Sequence, residues 1–277
     1  MVMTVKEALH FAEEGLKAFS DEAGNEARLI VAHLTDTEPN RLRFCEKKVK
    51  TEDINDFISR RKKGIPLQYI LGKWWFYKSE FLVGQGVLIP RQDTELLVET
   101  GLELIKNTEK PRVCDLCSGS GCIAISVALD RPDSSVTAVE KYDEAYGWLL
   151  KNVDHNGAKN VTAKKADALK PDGGEFDLIL CNPPYIPESD RDTLSAEVLN
   201  EPHTALFGGS DGLYFYREIT RLWKNSICCG GHLAFEVGIK EAPLVEEILR
   251  NEGFAQIGTK NDLIGIQRVV FGTVNNI

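Results

Sequence analysis

The sequence predicts an α/β protein: a mostly parallel seven-stranded sheet with an antiparallel hairpin at one edge, preceded by a small α-helical bundle and a β-hairpin linker. Three observations carry that expectation. Beyond residue 110, short apolar runs that read as buried strands alternate with helical stretches. Before Pro66, apolar residues recur at helical spacing. Between the two blocks, residues 74–89 switch to a β-like pattern. At 277 residues and 43% hydrophobic content, the chain can bury one large core and a second, smaller one.

In chain order, Thr4 and Glu7 form a capping box, after which Val5, Leu9, Ala12, Leu16 and Phe19 share a helix face. A second amphipathic segment over 21–34 presents Ala23, Ala27, Ile30, Val31 and Leu34. A third begins at Thr51, uses Ile54, Phe57 and Ile58, and stops at Gly64 and Pro66. None is long enough to be stable alone, so residues 1–72 read as a bundle. Its basic run, Arg60-Arg61-Lys62-Lys63, reads as a solvated helix end favoured by the helix dipole.

Residues 73–90 read as a hairpin linker: Trp75, Tyr77, Phe81, Val83, Val87 and Ile89 are separated by the turn material Lys78-Ser79 and Gly84-Gln85-Gly86. The third block, 91–277, opens with a helix capped by Asp93 or Thr94 whose apolar face uses Leu96, Leu97, Leu102 and Ile105. Strands are expected at 113–116, 136–140, 161–165, 176–181, 232–237, 255–259 and 267–271. The connection at Asn261-Asp262 is too short for a parallel crossover, which makes the last two strands an antiparallel pair.

No apolar run is long enough to span a bilayer and the N-terminus lacks a signal-peptide core, so a cytoplasmic protein without a membrane partner is expected. The net charge of −9 disfavours nonspecific binding to a phosphate backbone. The seven cysteines read as reduced thiols, mostly in apolar segments. The Cys114-x-x-Cys117 pair lacks a second pair at zinc spacing, and the five histidines are scattered, so no metal site is expected.

Two stretches carry chemistry. Asp115-Leu116-Cys117-Ser118-Gly119-Ser120-Gly121 links the first parallel strand to its helix, and its glycines let backbone approach a ligand closely. Glu140 ends the next strand, about 20 residues on, where a carboxylate can bind ribose hydroxyls; a nucleoside cofactor is implied. The second stretch is Asn182-Pro183-Pro184-Tyr185, at the end of the fourth parallel strand. The prolines carry no N–H, Asn182 offers both an acceptor and a donor, and Tyr185 offers a flat face, a set suited to a planar NH2 group. Asp167 follows the third strand, so four successive strand ends converge on one pocket edge.

The combination resembles the class I S-adenosylmethionine-dependent methyltransferases, a Rossmann-like fold. Within them, Pro66-Leu67-Gln68-Tyr69-Ile70-Leu71-Gly72, Val87-Leu88-Ile89-Pro90-Arg91-Gln92-Asp93-Thr94-Glu95, the Asn182 tetrapeptide with Ile186-Pro187, and Glu201-Pro202 through Ala205-Leu206 to Gly208-Gly209-Ser210-Asp211-Gly212-Leu213 are similar to successive signatures of the HemK/PrmC family. Members are protein-(glutamine N5) methyltransferases that modify the Gly-Gly-Gln glutamine of class I peptide chain release factors.

The resemblance implies S-adenosyl-L-methionine as methyl donor, leaving as S-adenosyl-L-homocysteine, with Asp115, Cys117, Ser118, Gly119, Ser120 and Gly121 along its methionine part. It further implies Glu140 on the ribose and Asp167 and Ala168 by the adenine, with Asn182 touching both cofactor and acceptor. Asn182, Pro183 and Tyr185 would be catalytic and, with Pro184, would bind the substrate glutamine. The N-terminal bundle would dock the release factor, with no stable nucleic-acid partner. A ribosomal-protein glutamine, or a DNA or RNA amino group, are the alternative acceptors. Departures from the family pattern are Gln92 in place of Pro, Cys117-Ser118 before the glycines, and Ala168 where some members have an aromatic residue; no adenine stacking is expected from Ala168.

Overall fold

Helical periodicity in the N-terminal block closes one core, and strand–helix alternation closes another, in the computed structural model, which describes residues 1–171 and 173–275. The first unit comprises Met1–Gly72 and the later segment Ser195–Asn200; the second comprises Lys73–Leu194 and the chain from Glu201 on.

In the first unit, β1 (Val2–Thr4) leads into α1 (Val5–Leu16), followed by α2 (Ala23–Thr35), β2 (Lys48–Lys50), α3 (Thr51–Lys62) and α4 (Leu67–Leu71). The capping box forms: Thr4 N donates to the Glu7 carboxylate at 2.8 Å while the Thr4 hydroxyl accepts from Glu7 N. Ala8, Ala12 and Leu16 of α1 share a core with Ile30 and Val31 of α2 and Ile54 of α3. The antiparallel β1–β2 pair and α4 span three to five residues each, too short for periodicity to reveal.

Arg61 corrects the solvated reading of the basic run. Its side chain is buried, donating from Nε and Nη2 to Glu26 at 2.7 Å and from Nη2 to Glu197 at 2.6 Å. Glu197 belongs to a helical turn, Ala196–Leu199, capped by the Ser195 hydroxyl; Asn200 Nδ2 adds a bond to Gly64 O at 3.0 Å. These bonds make 195–200 part of the first unit, although the sequence pattern assigns it to the last block. Arg61→Ala would leave the buried Glu26 carboxylate without its cation, with only the Ser20 hydroxyl, among the described residues, still donating to it. An earlier urea transition is expected, with about 3–5 kcal/mol lost; an unchanged midpoint would restore the solvated reading.

In the second unit, β3 (Lys73–Phe76) and β4 (Ser79–Leu82) form an antiparallel hairpin. It is no free linker, because Phe76 and Phe81 lie in the main core with Leu97 and Val98. Val83, Val87 and Ile89 are buried but not in a strand. The first two pack with Ala145, Trp74 and Trp148. Then follow α5 (Glu95–Leu104), β5 (Arg112–Leu116), α6 (Cys122–Asp130), β6 (Ser135–Glu140), α7 (Asp143–His155), β7 (Val161–Lys165), β8 (Phe176–Cys181), β9 (Ile227–Glu236), β10 (Ala255–Asn261) and β11 (Gln267–Thr273).

The seven-stranded sheet has the order β10-β11-β9-β8-β5-β6-β7, with β11 antiparallel to both neighbours and the remaining pairs parallel. β9 starts at Ile227, five residues before the expected His232: Gly230, at φ 77°, and a register shift against Phe176–Leu178 interrupt its alternation. No helix among the described residues is long and apolar enough to cross a membrane.

Candidate active site

Strand register assembles the site. Leu116 at the end of β5 pairs with Cys181 of β8 on one side and Val139 of β6 on the other, and Glu140 pairs with Lys165 of β7. The residues that follow or end these strands, Cys117, Asn182, Glu140 and Asp167, therefore meet at one rim. Chain order reverses between β5 and β8, and the crevice left at such a switch point is the usual ligand position in open α/β sheets. A cavity of about 120 Å³, open to solvent, occupies it. Cys117, Ser118, Gly119, Ser120, Glu140, Asp167, Ala168, Asn182 and Pro184 line it.

Asp115, Gly121, Pro183 and Tyr185 are not on that wall. Asp115 lies beneath it, fully buried: Oδ2 accepts from Ala124 N at 3.2 Å, and Oδ1 has no partner among the described residues. Burial pushes its carboxyl up to about 7. Gly121 sits at φ 81°, in the left-handed region that favours glycine, and an added Cβ would come within 2.4 Å of Leu149 Cδ1. Tyr185 packs into the core that holds Tyr216 and Phe235, and burial, reinforced by Glu236, raises its phenol well above the ordinary range.

The glycine loop is tied to the end of β6. Ser118 N donates to Val139 O at 3.0 Å and Gly119 N to Glu140 Oε2 at 2.9 Å, while Glu140 Oε1 accepts from Lys141 N and Tyr142 N, both at 2.8 Å. Cys117 adopts φ 59° and Gly119 φ 54°, the left-handed conformation of a tight turn. Asp167 pairs with Lys141 at 3.1 Å and accepts from Leu169 N at 3.0 Å. Burial alone would raise this carboxyl, but those two partners bring it below its ordinary value.

The loop after β8 is held from behind. Ile186 N donates to Leu206 O and Gly208 N to Ile186 O, both at 2.9 Å. A Cβ on Gly208 would stand 2.5 Å from Pro184 O and 2.8 Å from Tyr185 Cα; one on Gly212, at φ 75°, would stand 2.3 Å from Tyr185 O. Those glycines exist because backbone packs on backbone there. Asn182 Nδ2 donates to the Thr94 hydroxyl at 3.3 Å.

Residues 7–72 match the family described as the PrmC N-terminal domain, and residues 92–211 the Methyltransferase small domain. A protein of Clostridium acetobutylicum named release factor glutamine methyltransferase is 36% identical over 280 residues, covering 97% of this chain and 98% of its own length. The chain belongs to the release factor glutamine methyltransferase family. A second relative of that name, from Fusobacterium nucleatum, is 39% identical over 249 residues, 87% of this chain and 70% of the relative. Among solved structures, the catalytic domain of hMettl16 in complex with a MAT2A 3′UTR hairpin superposes with a TM-score of 0.60 over 93% of this chain and 84% of that one. At 16% identity it shares the fold alone.

Three residues of this release factor glutamine methyltransferase family member escape sequence reasoning. Asn152 is buried on α7. It accepts from Leu82 N at 2.7 Å and donates to Leu82 O at 3.0 Å and Ser120 O at 2.9 Å, tying hairpin to glycine loop. The available signal was a lone polar residue in line with Ala145 and Leu149. Glu201 is buried and accepts from Ile89 N at 2.9 Å and from Arg91, joining two walls of the cavity. Thr94 was expected as a helix cap, but neither it nor Asp93 caps α5 with its side chain. In this fold, Gly208→Ala meets backbone on every side and cannot relax, so the Asn182 loop must shift. A loss of about tenfold or more in kcat is expected from misplacement of that order; steady-state methylation at the unmutated rate would disprove it.

Proposed function

We propose that this family member transfers the methyl group of S-adenosyl-L-methionine to the N5 amide nitrogen of the glutamine in the Gly-Gly-Gln motif of class I peptide chain release factors, in the cytoplasm. The observation that carries the reading is that Asn182 and Glu140 share one cavity at the β8–β5 switch point: an acceptor for NH2 protons and a carboxylate suited to ribose, at one rim. The names of the relatives point to the same acceptor.

The residues present fit the donor. The left-handed turn at Cys117–Gly119 leaves room over Gly119, where an added Cβ would meet nothing closer than 3.9 Å. Glu140 uses three backbone N–H donors, fewer than its roughly four acceptor sites. Glu140 would hold the ribose, Asp167 and Ala168 the adenine end, and Cys117, Ser118, Gly119 and Ser120 the methionine part. When bound, the donor supplies an electrophilic methyl on a cationic sulfonium. Glu140 and Asp167 serve the nucleoside end, which keeps carboxylates from stabilising that cation in the ground state.

The chain's own residues must orient a poor nucleophile, since an amide lone pair is delocalised into its carbonyl. The Asn182 Oδ1 accepts one N–H of the glutamine at the wall, and the Pro183 carbonyl, set back from the wall on the adjoining backbone, accepts the other once the acceptor seats there; together they aim its nitrogen. Tyr185 does not stack on that amide; from behind the wall it fixes the loop that does the aiming. The N-terminal bundle docks the release factor, and the net charge of −9 argues against a stable nucleic-acid partner. Incubation with labelled S-adenosylmethionine and either a purified release factor or ribosomal proteins, followed by peptide mass spectrometry, tests this. Label on the Gly-Gly-Gln glutamine is expected. Label confined to a ribosomal protein, or none on either, would overturn it.

A further inference from the structure

We propose that Thr94 and Glu236 are positioning residues that determine which end of the Asn182 amide faces the acceptor; the inference rests on the glutamine-methylating reading above. Cys181 pairs with Phe235 in the parallel β8–β9 ladder, so Asn182 and Glu236 follow side by side at the ends of neighbouring strands. Thr94, 2% exposed, bridges them from the turn before α5. Its hydroxyl accepts from Asn182 Nδ2 at 3.3 Å, and its proton is left to turn to the buried Glu236 carboxylate, which it helps to hold down in pKa and whose Oε2 has no hydrogen-bond partner among the described residues.

A hydroxyl has one proton and an ionised carboxylate can only accept. With its proton committed to Glu236, Thr94 offers Asn182 lone pairs alone. Nδ2 satisfies them, whereas Oδ1 in the same place would set lone pair against lone pair. Oδ1 is thereby turned away from Thr94 and is the end left to accept from an incoming NH2. An alanine or valine at position 94 would remove both that bias and the bond that holds the Asn182 amide in place, so the amide would flip and also swing out of the geometry that aims the acceptor.

Protonation of Glu236 removes the same bias, because the Thr94 proton is then free to turn toward Asn182. Burial pushes the Glu236 carboxyl up to about 7, with the Thr94 bond, Arg268 and Arg91 opposing and Asp93 reinforcing the shift. Tyr185, Tyr216 and Cys122 also face this carboxylate, but each is a neutral acid whose own ionisation is pushed up. Since the ionised form sets the direction, turnover falls as pH drops through about 7 and is full above it.

The test uses the full chain with a release factor and labelled S-adenosylmethionine, comparing Thr94→Val, Thr94→Ser and Glu236→Gln. Thr94→Val is expected to lower kcat about 10- to 100-fold, as misorientation of a reacting group does, with cofactor affinity by calorimetry unchanged. Thr94→Ser should restore most of the rate. Glu236→Gln, which keeps an accepting oxygen but cannot ionise, should lose the acid limb near pH 7. An unchanged kcat in Thr94→Val, an equal loss in Thr94→Ser, or persistence of the acid limb in Glu236→Gln would each overturn the proposal. If the unmutated enzyme leaves release-factor glutamine unmodified, the functional reading fails. The relay is then judged by the Asn182 side-chain amide resonances: a shift in Thr94→Val reversed in Thr94→Ser supports it, and no shift refutes it.

Discussion

Asn182→Ala should reduce kcat for release-factor glutamine by about 100- to 1000-fold, the loss seen when one preorganised partner of a reacting group is removed. The magnitude follows from what the residue is asked to do. Holding two bound reactants in line supplies up to about 7–11 kcal/mol of a barrier, and the alanine variant gives up one of the two acceptors proposed to fix the nitrogen. The Pro183 carbonyl alone permits rotation about the single remaining bond. The glycine loop stays anchored to Glu140 through Gly119 N and to Val139 through Ser118 N, neither of which involves Asn182. Cofactor affinity should therefore change far less than kcat, and single-turnover methylation with saturating cofactor isolates the effect. A rate equal to that of the unmutated enzyme would remove Asn182 from the mechanism.

Glu140→Ala should act on the other half of the site. A hydrogen bond to a charged group is worth about 1.5–3 kcal/mol, so losing the ribose contact weakens cofactor binding by about 10- to 100-fold. The structure adds a second cost. Gly119 N, Lys141 N and Tyr142 N all donate to this carboxylate, so the alanine leaves three donors in search of water and slackens the loop that carries Cys117–Ser120. Affinity should fall while kcat at saturating cofactor largely survives, the opposite split to Asn182→Ala. Calorimetry reporting unchanged affinity would withdraw the ribose assignment.

Much of this site was legible because its residues follow short apolar strands that cannot be mistaken for helices. β7 and β8 run over the expected residues, and the sheet places Cys117, Glu140, Asp167 and Asn182 together. What stayed hidden depends on three-dimensional neighbours. Thr94 looks like a cap in one dimension; only the adjacency of β8 and β9 reveals Glu236 beside Asn182. Tyr185 looks like a stacking platform until Gly208, Gly212 and Gly238 are seen to leave room for its backbone and ring behind the wall. Asp115 has the ligand-binding look of a strand-end acid but is swallowed by the sheet. Arg61 sits among three other cations, and nothing local distinguishes it as the one that turns inward to Glu26 and Glu197.

That inward turn has a consequence for how the chain is made. Glu197 lies roughly 120 residues after the end of the contiguous part of the first unit at Gly72. At ~5–20 residues per second, a ribosome needs ~6–25 s to cover that distance. Through that interval Glu26 is the one of the two carboxylates available to Arg61, because Glu197 is not yet synthesised. The N-terminal unit is thus completed by residues that follow the Asn182 loop in the chain, and its last ion pair closes only after the acceptor loop has left the ribosome.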